Sequence, residues 1–142
     1  MRATAASAVW EGGLKGGKGT FSAGSGAFQG PYTFATRFEN AKGTNPEELI
    51  AAAHAACFSM ALSAGLEHAG TPPARIATKA TVTMDNPGGG NRITKSRLEV
   101  VGTVPGIDAA AFQAAAERAK EGCPVSQALK GNVTVELDAK LA

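Results

Sequence analysis

Thr44-Asn45-Pro46-Glu47-Glu48-Leu49-Ile50-Ala51-Ala52-Ala53-His54-Ala55-Ala56-Cys57-Phe58-Ser59-Met60-Ala61-Leu62 decides how this chain folds. Asn45 suits a helix N-cap, because its side-chain oxygen accepts from an otherwise orphaned backbone N–H. Pro46 suits the first helical position, where no N–H is needed. Glu48 stands three residues after the cap, as a capping-box partner does, and with Glu47 it places two acids at the positive end of the helix dipole. The helix predicted here runs to about His68. From Leu49 to Leu66 it is apolar almost all round, with His54, Ser59 and Ser63 as its polar interruptions. A helix of that kind is buried on most sides. In a chain this small, that predicts a second copy covering part of it.

Upstream of the helix, short β-like runs at Ala8–Trp10, Gly19–Ser22 and Tyr32–Phe38 alternate with glycine-rich turns, which predicts a meander. Tyr32, Phe34 and Phe38 fall on one face of the third run if it is a strand. Downstream, Ile76–Met84 alternates cleanly, Pro87-Gly88-Gly89-Gly90-Asn91 turns the chain, and Ile93–Val104 returns with a slip of phase that predicts a bulge. Asp108 caps a helix from about Ala109 to Glu121 with Phe112, Ala115, Ala116 and Ala119 on one stripe. A short helix from Pro124 to Lys130 and a strand around Val133–Asp138 complete the order. Strands, long helix, hairpin, helices and strand read as α+β.

With 142 residues the chain is expected to be one domain, residues 1–142. It is 44% hydrophobic and 18% charged, a globular balance. Nearly half of those hydrophobic residues are alanine, and there is one Trp and one Tyr. Such a composition limits the apolar area that one subunit buries alone, which again points to an oligomer. The net charge is +2 and the 14 basic residues are scattered, so no nucleic-acid footprint is present. No apolar run is expected to span a membrane, and the N-terminus is expected to lack the apolar stretch of a signal peptide. The chain is expected to be cytoplasmic, where a cysteine pair serves redox chemistry or metal binding more often than structure.

Two cysteines are present, Cys57 and Cys123. Cys57 lies mid-helix among alanines. Its plain reading is a small buried hydrophobe, and for it to react a cation must offset its desolvation. Cys123 in Gly122-Cys123-Pro124 sits where the last short helix begins, among backbone donors that favour a thiolate; on local physics it is the better nucleophile. The pair reads either as a reversible dithiol couple or as two unrelated thiols. A metal site built from His54, His68, Cys57 and Cys123 lacks the spacing of a closed zinc shell. His54 reads as a hydrogen-bonded core residue or a group supporting the site. Arg37 and Glu47 matter jointly: an arginine near a thiol is what a buried thiolate requires, and a carboxylate holds the guanidinium in place.

Thr44–Leu62, together with Gly122-Cys123-Pro124-Val125-Ser126-Gln127, closely resembles the osmotically inducible protein C branch of the OsmC/Ohr family, which contains organic hydroperoxide reductases. Tyr32–Phe38 and Val104-Pro105-Gly106-Ile107-Asp108 fit that pattern too. The resemblance implies an α+β OsmC-like fold, antiparallel sheets around a long buried central helix, and an intertwined homodimer. It implies a peroxidase without cofactor or metal. By position, Cys57 matches the peroxide-attacking cysteine, Cys123 the resolving one, Arg37 the thiolate-stabilising arginine and Glu47 its salt-bridge partner. This reverses the order that local physics favours. The implied substrates are an organic hydroperoxide and a dithiol reductant, for which a lipoyl-type dithiol is the candidate; Phe58 and Met60 are expected to offer apolar surface to the former. The rival reading is a thiol redox sensor or stress-associated binding protein that does not turn over. Glu47 and Cys57 are ten residues apart, about 15 Å of helical rise. Either Arg37 spans that gap or, as favoured here, Glu47 reaches the thiol from the partner's helix.

Overall fold

Aromatic rings hold the first sheet together. In the computed structural model, which describes residues 1–142, strands β1 (Ala6–Glu11), β2 (Lys18–Ala23) and β3 (Gln29–Tyr32) pair antiparallel in that order. Gly19 lies opposite both Trp10 and Tyr32. A side chain there would drive into both rings, so its absence lets Trp10 and Tyr32 close to 5.4 Å between centroids over the central strand. Phe21 meets Tyr32 at 6.0 Å and Phe28 at 6.1 Å.

The third β-like run is shorter than expected. It ends at Tyr32, and Phe34–Phe38 forms a short helix, α1. Thr33 and Thr36 cap it reciprocally, each hydroxyl accepting the other's backbone N–H. Phe34 and Phe38 stand four residues apart, so they share a face in a helix as readily as in a strand; here their rings lie 4.9 Å apart. The hydroxyl cap decides between the two.

Helix α2 (Pro46–His68) starts where the sequence places it. Asn45 Oδ1 accepts the Glu48 N–H at 2.8 Å, and its amide donates to the Thr36 carbonyl at 3.0 Å, tying the cap to α1. The chain divides into two compact units, Met1–Leu49 and Ile50–Ala142, and α2 starts in the first and continues through the second.

In the second unit β4 (Arg75–Asp85) and β5 (Arg92–Thr103) form an antiparallel hairpin. The expected bulge is present: Thr83 pairs with Lys95 and Met84 with Ile93, which leaves Thr94 as the extra residue. Helices α3 (Ala109–Gly122) and α4 (Pro124–Leu129) lead to β6 (Thr134–Leu141). β6 pairs parallel to β5, so this sheet is mixed where antiparallel sheets were expected. The cause is the connection: two helices carry the chain back to the end of the sheet from which β5 started, as a parallel neighbour requires. The core gathers Phe58, Leu62, Leu66, Leu98, Val100, Phe112 and the α3 alanines 115, 116 and 119. Gly102 on β5 makes room for the Phe112 ring.

The chain alone covers only part of α2, and one expectation for the helix needs correcting. Within one chain it buries Glu47 and a single stripe, His54, Phe58, Leu62 and Leu66, while Ala52, Ala53, Ala56, Met60 and Ala64 stay exposed. And at 23 residues it is long and apolar enough to cross a membrane, because alanine contributes apolar length without bulk. The four-residue spacing of the stripe is that of a helix laid against a core on one side.

Candidate active site

Residue by residue, the first unit supplies an anchored guanidinium. Arg37 is the last-turn residue of α1, and Glu47 the second residue of α2. Arg37 Nη2 donates to Glu47 Oε1 at 2.7 Å and Nε to the same oxygen at 3.1 Å. Glu47 is buried and Arg37 half-exposed. A buried carboxylate holding a guanidinium by two nitrogens fixes its plane while leaving the remaining N–H groups free. The Phe38 ring lies under the guanidinium at 5.4 Å. Beside it opens a hollow of about 230 Å³ lined by Trp10, Leu14, Tyr32, Phe34, Arg37 and Phe38. Arginine and glutamate are joined within one chain, so Glu47 does not arrive at Arg37 from a partner.

The second unit supplies the thiols. Cys57 projects from α2 and Cys123 from the junction of α3 and α4. There the Cys123 N–H closes α3 on the Ala119 carbonyl at 2.9 Å, and its own carbonyl accepts from Gln127 at 2.9 Å. Their sulfurs lie 2.9 Å apart and both are free thiols. Far apart in sequence, they are within reach of a disulfide. Cys57 is half-buried, whereas Cys123 is 0% exposed.

The two thiols are coupled, and their environments push them apart. Burial pushes the Cys57 thiol up, the hydrogen bond to Cys123 pushes it further, and the Val125 N–H only partly opposes them. Burial also raises Cys123, but hydrogen bonds from Cys57, from the Ser126 backbone and hydroxyl, and from Val125 outweigh it and bring that thiol down. Access points the other way, since a peroxide can reach Cys57 and not the enclosed Cys123.

His54, one turn before Cys57, is wholly buried. Its Nδ1 lies 2.6 Å from Ser96 Oγ and its Nε2 2.8 Å from Ser126 Oγ, so both ring nitrogens are engaged. Burial lowers its pKa and keeps the ring neutral. Phe58, expected to face substrate, is instead 0% exposed in the core. Met60 is exposed, and the aromatic surface beside a cation is the one around Arg37. Sequence reading missed Ser126 and Ser96. Ser126 carried a signal, three residues after Cys123 on one short helix, as His54 is three before Cys57. Ser96 carried none, because only the pairing of β5 brings it there.

Known proteins share both the sequence and the fold. Residues 39–138 match the family described as OsmC-like protein. The chain is 55% identical over 134 residues to the peroxiredoxin OsmC of Escherichia coli, covering 94% of each. It is 36% identical to the organic hydroperoxide resistance protein of Xanthomonas axonopodis pv. citri over 67% of this chain and 66% of that one. Among solved structures, the organic hydroperoxide resistance protein OhrB of Bacillus subtilis superposes with a TM-score of 0.77 at 28% identity, covering 96% of this chain and 98% of that one. That of Elizabethkingia anophelis does so with a TM-score of 0.80 at 26% identity, covering 100% and 98%.

Proposed function

This chain belongs to the OsmC family, and we propose that its two thiols reduce organic hydroperoxides to alcohols, with Cys57 attacking and Cys123 resolving. It is a thiol-dependent peroxidase that consumes a hydroperoxide and a reductant. The observation that carries the assignment of roles is the pair itself: two free sulfurs 2.9 Å apart, one reachable and one enclosed.

The chemistry follows from that asymmetry. Cys57 thiolate attacks the distal peroxide oxygen, the O–O bond breaks, and the alkoxide leaves as alcohol after taking a proton; Cys57 is left as sulfenic acid. Cys123 displaces the hydroxyl, giving a disulfide and water. An external dithiol, which we take to be of lipoyl type, exchanges with the disulfide and restores both thiols.

Within one chain burial and the hydrogen bond with Cys123 disfavour the Cys57 thiolate, so attack requires a cation beside it. Arg37, locked by Glu47, is the cation we assign, and the aromatic hollow beside it suits the organic group of the peroxide. Glu47 stands about 15 Å up the helix from Cys57, which favours the partner subunit's Arg37 as the one that reaches the thiol. A homodimer also accounts for the exposed alanines and Met60 of α2, which we assign to a second copy rather than to lipid. A cycle that starts from two reduced thiols suits the reducing cytoplasm.

The test mixes reduced protein with cumene hydroperoxide, and separately with hydrogen peroxide, while mass spectrometry without reductant maps the cysteines and dihydrolipoamide turnover is followed. Rapid Cys57–Cys123 closure with sustained turnover and preference for the organic peroxide is expected. Thiols that stay reduced would overturn the reading.

A further inference from the structure

His54 is a buried titratable side chain that the reaction as written leaves idle, and it bridges the two elements that carry the thiols. Its Nε2 lies 2.8 Å from Ser126 Oγ on α4, and its Nδ1 2.6 Å from Ser96 Oγ on β5. His54 precedes Cys57 by three residues on α2, and Ser126 follows Cys123 by three, from the cap of α4 into the helix. Residues three apart on a helix are neighbours on its surface. Two neighbouring polar rungs therefore join α2 to the start of α4: sulfur to sulfur at 2.9 Å, and imidazole to hydroxyl at 2.8 Å.

The second rung matters because α4 has little else to place it. The helix is six residues long, too short to be stable by itself, and Ser126 is its one buried residue. The other hydrogen bonds at its start look back along the chain. The Cys123 N–H donates to the Ala119 carbonyl and the Gln127 N–H to the Cys123 carbonyl, both at 2.9 Å, and the Gln127 side-chain amide donates to the Glu121 carbonyl. Those bonds shape the corner between α3 and α4, and none of them sets its distance from α2. Val125 packs on the core, but an apolar contact tolerates sliding where a hydrogen bond does not.

The bridge is chemically self-consistent. A neutral imidazole has one N–H and one lone pair, so it donates to one serine and accepts from the other, and a hydroxyl can do either. Ser96, His54 and Ser126 are all buried. Letting go would leave polar atoms unpaired away from water, which costs more than the bond gains when it forms.

We propose that His54 and Ser126 are positioning residues for disulfide closure: their hydrogen bond fixes α4 against α2 at the separation from which the Cys57 and Cys123 sulfurs meet. The inference rests on the peroxidase reading above for its place in the cycle. In that step the Cys123 thiolate bonds to the sulfur of the Cys57 sulfenic acid, the S–O bond breaks, and hydroxide leaves and takes a proton from water. Cys57 sulfur is reduced as Cys123 sulfur is oxidised, so no outside electron is needed. Sulfurs held in place meet at a high effective concentration, and a corner free to swing lowers it. Ser96 has a different part, since β5 carries no cysteine and its bond ties α2 to the sheet.

Equilibration with mixtures of reduced and oxidised dithiothreitol, followed by maleimide trapping and intact-mass reading of dithiol against disulfide, measures that effective concentration without peroxide. Ser126→Ala is expected to lower it about tenfold, the worth of one buried hydrogen bond, and Ser126→Thr, which keeps the hydroxyl, to restore it. Ser96→Ala takes an equally buried hydroxyl from the same ring. It is expected to lower the urea midpoint as Ser126→Ala does, yet to change the dithiol ratio by no more than about twofold, the scatter of uncoupled sites. An unmoved ratio in Ser126→Ala, or equal shifts in the two alanine variants, overturns the proposal. In rapid quench with cumene hydroperoxide and dimedone, Ser126→Ala is expected to slow closure about tenfold, so that Cys57 sulfenic acid accumulates; closure at the parent's rate overturns it as well. If the unsubstituted chain is never oxidised by peroxide while its dithiothreitol equilibrium still responds to Ser126→Ala, the peroxidase reading fails and the bridge stands.

Discussion

Between Met1 and Leu49 only Gly19 and Glu47 are buried, whereas Ile50–Ala142 encloses Phe58, Leu62, Leu66, Leu98, Val100 and Phe112 against the alanines of α3. Both units are sheets with helices, yet the first spends its aromatics on a surface and the second its aliphatics on a core. Apolar burial is what stabilises a small fold against its chain entropy. The second unit has that stabilisation within itself. The first has ring contacts and capping hydroxyls, and presents Trp10, Tyr32, Phe34 and Phe38 beside its one anchored cation. A region built this way is suited to being covered.

The comparison breaks outright if the cation of one subunit serves the thiol of that same subunit. Cys57→Ser is expected to lose peroxide turnover entirely, and Arg37→Ala to lose about 100-fold, as when a donor to a developing charge is removed. In the proposed homodimer, mixing and reassorting the two inactive variants would give dimers in which one Cys57 faces an intact Arg37 from the other chain. Recovery of about a quarter of the parent's turnover is expected from random pairing. No recovery would return Arg37 to its own chain's thiol.

A smaller effect sharpens the contrast of cores. Phe58→Ala empties a wholly buried site and is expected to cost about 3–5 kcal/mol whatever the protein concentration. Trp10→Ala in the first unit is expected to cost little in dilute monomer and more as the protein concentration rises and the dimer forms, read from urea unfolding over a concentration series with sedimentation in parallel. Equal, concentration-independent losses would show that the first unit needs no cover.

What was legible in the sequence divides along the same line. The cap of α2 at Asn45, the α3 stripe of Phe112, Ala115, Ala116 and Ala119 and the bulge in β5 are settled by neighbours in sequence, and they formed as read. Phe34 and Phe38 misled because a spacing of four satisfies both helix and strand, and the Thr33–Thr36 cap that decides it is made of two unremarkable hydroxyls. The parallel pairing of β6 and the placement of Ser96 against His54 depend on which strands meet across the chain, a choice that local pattern does not encode. The two cysteines were legible as a pair, and their order followed from the resemblance. Local physics preferred Cys123, whose thiol is pulled below its ordinary value first by the hydrogen bond with Cys57. The enclosure of Cys123, invisible in sequence, is why ionisation there does not make it the attacking group.

The smallest effect concerns His54, the buried titratable group at the centre of the second unit. Its folded pKa lies below the ordinary 6.5 because burial disfavours the imidazolium, so in the unfolded chain the ring binds a proton at a pH where the folded one does not. Stability is then whole above the unfolded value and falls as pH drops through 6.5 toward the folded value. Urea midpoints between pH 7.5 and 5.5 should decline accordingly, and His54→Gln, which has nothing to protonate, should flatten that part of the decline while leaving the carboxylate-driven loss at lower pH in place. The first unit holds no histidine, so a pH slope that survives His54→Gln must come from elsewhere, and the neutral ring would no longer be what the Ser96 and Ser126 hydroxyls are arranged to keep.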